Sequence, residues 1–136
     1  MWFYKDTNIV VRDTPNRAVG FIYMITHIPT GLYYIGKKSI YSNRTLPPLK
    51  GKKRKRRVTK ESDWRDYYSS NDWINSEVKE GNENEFRREI IDFCYSKKSL
   101  GYYEVYFQMY YNVLEDDNAL NGNILGKYFR NDLERI

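Results

Sequence analysis

The chain has 136 residues, 40% hydrophobic and 17% aromatic, with a net charge of +5. That size suits one domain around one core, and no apolar run approaches the roughly 18 residues of a membrane span. A single cysteine, Cys94, excludes an internal disulfide and a cysteine-rich zinc site, and a single histidine, His27, excludes a histidine-built metal site or catalytic triad. Met1-Trp2-Phe3-Tyr4-Lys5-Asp6 lacks a signal-peptide pattern, so an intracellular, cytoplasmic protein is expected.

Residues 1–18 read as an irregular or strand-containing lead with a turn at Asp13-Thr14-Pro15-Asn16. Residues 19–38 predict a hairpin. Val19–Thr26 and Leu32–Gly36 are apolar, β-branched or aromatic, and His27-Ile28-Pro29-Thr30-Gly31 between them supplies the turn residues. Alternation places Phe21, Tyr23 and Ile25 on one face, and Leu32, Tyr34 and Gly36 share a face of the second strand. Two phenols then project beside a residue with no side chain, which leaves room for a ligand or a second backbone. Residues 39–60 predict a long irregular connection, because Leu46-Pro47-Pro48-Leu49 forbids a helix. Loops of that length are uncommon without a function.

Ser62 is read as the N-cap of a short helix from Trp64 to Ser70. Ser70 or Asn71 caps a second, Asp72–Glu80, which Gly81 ends. Asn82–Glu85 is a turn, and Phe86–Tyr95 is the third strand, with Cys94 a buried inert thiol. Ser99 is read as the cap of a helix from about Leu100 to Leu114. Tyr103, Tyr106, Phe107, Tyr110, Val113 and Leu114 form its apolar stripe. A loop spans Asp116–Asn123, and Tyr128–Ile136 predicts a last helical turn or two.

Charge is concentrated in one place. Residues 50–60 hold eight cations and no acid, and the rest of the chain is net acidic. Lys52, Lys53, Arg54, Lys55, Arg56 and Arg57 form an electrostatic handle for a polyanion. The same segment also suits a solvated loop, or a surface for an acidic partner protein.

Phe21-Ile22-Tyr23 and Tyr34-Ile35-Gly36, in that order and at that spacing on a predicted hairpin, resemble the two tripeptides of the GIY-YIG nuclease family. The first departs slightly: its glycine is Gly20, one residue early, with Phe21 in the usual glycine place. Lys37-Lys38 after the second tripeptide is similar to the short stand-alone phage-type members. The resemblance covers about residues 19–125. It implies an α/β (α+β) fold with a small three-stranded antiparallel sheet flanked by helices. The whole chain, 1–136, is then a single nuclease domain with a basic insertion at about 46–60. It also implies a DNA endonuclease using one divalent ion per site, Mg2+ or Mn2+, and it leaves a homodimer open.

In that family a tyrosine acts as general base, an arginine steadies the phosphate, a helical glutamate holds the metal and a late asparagine supports the site. Tyr23 and Tyr34 match the tyrosines. A phenol has a free pKa near about 10, so Lys37, Lys38 and a metal are expected to lower that of Tyr23. Glu104, after the third strand and among aromatic residues, matches the metal ligand; a hard cation suits a poorly solvated carboxylate. For the phosphate the resemblance points to Arg65, with Arg57 and Arg44 as alternatives and Lys37 able to share the role. Asn121 matches the asparagine, with Asn123 as fallback. The alternative reading is a nucleic-acid-binding module that keeps the fold without the chemistry.

Overall fold

A computed structural model of the chain describes residues 1–133. In chain order its strands are β1 (Trp2–Tyr4), β2 (Val10–Val11), β3 (Gly20–His27), β4 (Tyr33–Ser39), β5 (Tyr41–Leu46), β6 (Arg56–Glu61), β7 (Phe86–Cys94), β8 (Asn123–Ile124) and β9 (Tyr128–Phe129); its helices are α1 (Asp72–Lys79) and α2 (Lys97–Tyr110). The main sheet has five strands in the order β2-β1-β7-β3-β4.

The three-stranded antiparallel sheet expected from the sequence is present as β7-β3-β4, but it is only part of a mixed sheet. β1 adds parallel to β7, and β2 pairs antiparallel with β1. Most of the chain separates β1 from β7, so no local hairpin signal announces their pairing. Burial explains it: Trp2 and Val11 belong to the core, and Trp2 Nε1 donates to the Trp64 carbonyl at 2.8 Å.

The stretch expected to be irregular contains a two-stranded ribbon, β5 paired with β6 in the register Tyr41↔Glu61 to Leu46↔Arg56. Its residues are exposed except the half-buried Leu46, so no apolar alternation marked it. Pro47 and Pro48 fall in the loop that follows β5 and exclude helix there, as expected.

The predicted helix 64–70 is a single 3₁₀ turn, Trp64–Asp66, followed by extended chain. Its carbonyls are taken by distant side chains: Trp64 O by Trp2, and the carbonyls of Arg65 and Tyr67 by Arg88. Ser62 is not its cap. The Ser62 N–H and hydroxyl bond the carbonyls of Ile40 and Ser39, at 2.8 and 2.6 Å, closing the base of the ribbon. Helix α1 follows the prediction closely, with Asn71 Oδ1 accepting from the Ile74 N–H at 3.0 Å and Gly81 at φ +92° behind it.

Helix α2 starts earlier than predicted, because Ser96 is the cap and Ser99 returns its bond in a capping box. It ends at Tyr110, and Val113 and Leu114 are buried in the turn beyond. The predicted aromatic stripe is not its inner face. Tyr103, Tyr106 and Tyr110 are exposed, whereas Leu100 and Gln108 are buried with half-buried Glu104 between them. Spacing of four residues puts these three on one line facing the sheet. Residues 130–133 form a 3₁₀ turn after β9, and the rest of the predicted last helix, 134–136, lies outside the described residues.

Two cores flank the sheet. Phe21, Tyr23, Ile25 and Ile90 pack with Trp2, Trp64 and Ile74 on one face. On the other, Ile22, Met24 and Ile35 pack with Leu100, Val113 and Leu114. No helix among the described residues is long and apolar enough to cross a membrane.

Candidate active site at the β4 edge

The register of β3 and β4 sets Tyr23 opposite Gly36 and Ile25 opposite Tyr34. Opposite residues share a face, so both phenols lie on the same side of the sheet around the glycine. A Cβ at Gly36 would stand 2.5 Å from Tyr23 Oη and 3.1 Å from a ring carbon of Tyr34. The glycine of the second tripeptide is therefore the space that the Tyr23 hydroxyl fills. The two rings stack at 6.3 Å, and Tyr67 meets Tyr23 edge-on at 5.8 Å. Tyr34 Oη bonds the Ser70 hydroxyl at 3.1 Å.

Gly20 has its own steric reason. A Cβ there would meet the Leu100 side chain at 2.6 Å and the Lys38 carbonyl at 2.7 Å, so the residue lets α2 approach the hairpin. Leu100 is thereby seated at one end of the line that carries Glu104.

β4 is an edge strand, and an edge strand must satisfy its outward backbone groups. Here that is done residue by residue. Tyr33 pairs with the backbone of Asn118 and Leu120. At Ile35, the N–H donates to Asn121 Oδ1 at 3.1 Å, and the carbonyl accepts from Asn121 Nδ2 at 2.8 Å and Gln108 Nε2 at 3.2 Å. At Lys37 the backbone N–H faces the Glu104 carboxylate. Ser39 offers its carbonyl to Ser62. The line Leu100–Glu104–Gln108 thus runs along the edge, and the glutamate reaches it beside Gly36. Tyrosines from one face and a carboxylate from the other meet around one edge.

Burial raises the Glu104 carboxyl above its usual range, although the Lys37 ammonium and backbone N–H oppose the shift. The cations expected to depress the Tyr23 phenol do not do so. Tyr23 is 1% exposed, and burial, Tyr67, Tyr34 and the negative charge of Glu104 push its pKa strongly upward. Tyr34 is also raised, by burial first.

The family model described as "Putative endonuclease segE, GIY-YIG domain" matches residues 2–131. The chain belongs to this GIY-YIG family. No curated protein and no solved structure matches it.

Among the GIY-YIG residues expected from the sequence, the fold brings Tyr23, Tyr34, Lys37 and Glu104 together. Lys37 comes from the opposite face to the tyrosines, since it pairs with Ile22. Asn121 is 2% exposed and holds the Ile35 backbone on both sides, so it fixes the tripeptide strand from behind. Asn123 lies in β8 and accepts from the Gly126 N–H.

Arg65 is engaged elsewhere: it bonds the Arg12 carbonyl at 2.6 Å and Glu61 at 3.1 Å, and stacks on Trp64 at 4.4 Å. Arg44 and Arg57 stand exposed on the ribbon. Lys52–Lys55 occupy the loop between β5 and β6, and Arg56 begins β6 with Arg57. Tyr67, which touches Tyr23, was not singled out from the sequence. Nothing in the sequence sets it apart from the other tyrosines, of which the chain has 14 in all.

A metal at this site would have one carboxylate, that of Glu104, and not an all-protein cage. Among the described residues no three His, Cys, Asp or Glu side chains cluster. Glu104 offers one hard carboxylate, partly desolvated and beside two phenols. Magnesium is commonly held by one or two carboxylates together with substrate phosphates and water.

Proposed function

We propose that the protein is a metal-dependent DNA endonuclease that hydrolyses phosphodiester bonds at the β4 edge, with Glu104 holding one Mg2+ or Mn2+ and Tyr23 acting as general base. The observation that carries this reading is the meeting of Tyr23, Tyr34 and Glu104 around Gly36, from opposite faces of the sheet. A divalent ion on Glu104 would supply positive charge to the scissile phosphate and invert the effect of this carboxylate on the neighbouring phenol. In the free chain burial above all, with Tyr67 and Tyr34 next and the Glu104 charge last, raises the Tyr23 pKa, so the phenol is protonated there. Tyr34, tied to Ser70, positions the mouth of the site. Asn121 keeps β4 in register, so that Gly36 remains opposite Tyr23.

Substrate affinity is proposed to come from the ribbon. One of its faces carries Arg44, Arg56 and Lys60 without an acid, and Lys52, Lys53, Arg54 and Lys55 lie in its loop. A major groove admits a two-stranded ribbon, and phosphate neutralisation by such a cluster gives salt-sensitive binding.

A second reading, a binding module without chemistry, is favoured by one observation: Arg65 is bonded away from the tyrosines. Nicking of supercoiled plasmid separates the two. Magnesium-dependent scission by the wild type, absent with EDTA and in Glu104→Ala, is expected for the nuclease. Salt-sensitive binding without scission would support the module.

A further inference from the structure

The endonuclease reading requires a cation on the tyrosine side of the sheet, where a phosphate would lie against Tyr23 and Tyr34. The four candidates considered from the sequence do not stand there: Lys37 projects from the other face toward Glu104, Arg65 is engaged by Arg12, Glu61 and Trp64, and Arg57 and Arg44 are on the ribbon. Arg88 is 5% exposed and spends its guanidinium on the carbonyls of Arg65 and Tyr67, sandwiched between Trp2 and Tyr68.

Lys38 is different. It pairs with Phe21, so it shares the face of Tyr23, Gly36 and Tyr34. Its ammonium lies 4.1 Å from the centre of the Tyr67 ring, the ring that packs edge-on against Tyr23. It is tied to Asp63 Oδ1 at 2.6 Å. The two partners are unequally placed: the Lys38 side chain is 18% exposed and that of Asp63 72%.

We infer that Lys38 is the residue that holds the scissile phosphate, and that Asp63 is its resting counter-ion, displaced when the phosphate binds. This rests on the endonuclease reading. The geometry favours the exchange. The ammonium is already ordered against an aromatic face and largely withdrawn from water, so little rotamer freedom remains to be lost. Asp63 is a surface carboxylate, and pairs with such partners are weak. A phosphate diester offers the same anionic oxygens at the same ammonium, and a lysine binds phosphate as a point charge without a bidentate fork. Asp63 lies two residues beyond the end of β6, at the base of the ribbon.

The test measures single-turnover cleavage with Mg2+ and duplex affinity with Ca2+ in place of Mg2+, on wild type and on Lys38→Met, Lys38→Arg, Asp63→Asn and Arg65→Met. Thermal melting of each is recorded. Lys38→Met is expected to slow cleavage by about 10²–10³-fold with affinity within about threefold, because the ribbon supplies most of the phosphate contacts. Lys38→Arg should restore at least about a tenth of the wild-type rate, since the charge remains. Asp63→Asn should keep or raise the rate at sub-saturating DNA, whereas a merely structural Asp63 would lower rate and melting temperature together. Wild-type cleavage by Lys38→Met overturns the assignment, and a loss confined to Arg65→Met transfers the role to Arg65 and overturns it equally. Should Lys38→Met fail to fold, slowed cleavage by a folded Asp63→Asn would overturn it. A wild type that cleaves no DNA overturns the endonuclease reading and this inference with it, so the two failures are told apart.

Discussion

In the tyrosine–glutamate site a single carboxylate stands among phenols, under apolar packing on both sides. The β5–β6 ribbon leaves the same strand a few residues later and is its opposite: exposed but for half-buried Leu46, mostly polar or cationic, and outside both cores. The first region depends on position within a few tenths of an ångström, as the space at Gly36 shows. The second depends on the number of charges. Cleavage and binding are therefore expected to fail separately.

The sharpest way to break that separation is Glu104→Gln. Cleavage is expected to fall by about 10³-fold, with duplex affinity within about twofold. The same change should stabilise the free protein. Burial raises the Glu104 pKa in the folded state, so the folded chain holds that proton more tightly than the unfolded one. Stability is then fully present below the ordinary carboxylate range and declines as pH rises through the raised value. Glu104→Gln lacks this decline, and its melting temperature near neutral pH should exceed that of the wild type by about 2–5 °C. Melting curves across acidic to neutral pH check the sign. A wild type that gains stability through that window would refute it.

Replacing Lys52, Lys53, Arg54 and Lys55 by serine acts on the ribbon alone. Each phosphate contact removed should flatten the log–log salt dependence by about 0.9, and affinity at physiological salt should fall by about 10²-fold. Cleavage at saturating DNA should stay within about threefold. A loss at saturation would show that the ribbon also places the substrate at the tyrosines.

The smallest expected effect is steric. Gly36→Ala drives a methyl group against Tyr23 Oη and should cost about 1–3 kcal/mol in urea unfolding, with cleavage lowered by more than the stability loss explains. The circular dichroism of the sheet should be retained. An alanine variant with wild-type stability and activity would mean that the space at Gly36 has no role.

Legibility in the sequence followed the range of the interactions. The hairpin was readable because both strands are apolar, adjacent and separated by a Pro–Gly turn. Helix α1 was readable because Asn71 and Gly81 bracket it. The start of α2 was misread because Ser96 and Ser99 are both good caps, and only the capping box, with Ser96 at the N-cap, decides between them. Its inner face was misread because tyrosines outnumber the residues that point inward; Glu104 and Gln108 face the sheet because β4 needs their polar atoms. Glu104 and Asn121 were picked out by resemblance, yet what they bond in the free chain was not visible. Lys38, one residue from Lys37 in the same dipeptide, was not separated from it because the expected strand stops at Gly36, whereas β4 runs on to Ser39 and alternation then puts the two on opposite faces.

By itself, the sequence determined the central hairpin, the placement of excess positive charge in one segment, and the residue types at the candidate site. Those are matters of local pattern, turn chemistry and composition. Tertiary structure alone decided that the lead strand joins the sheet parallel to β7, that the basic segment is half of a ribbon, and which cation stands beside the tyrosines. Each of these depends on which distant backbone fills an open hydrogen-bonding edge or which face a side chain takes, and no periodicity along the chain records that choice.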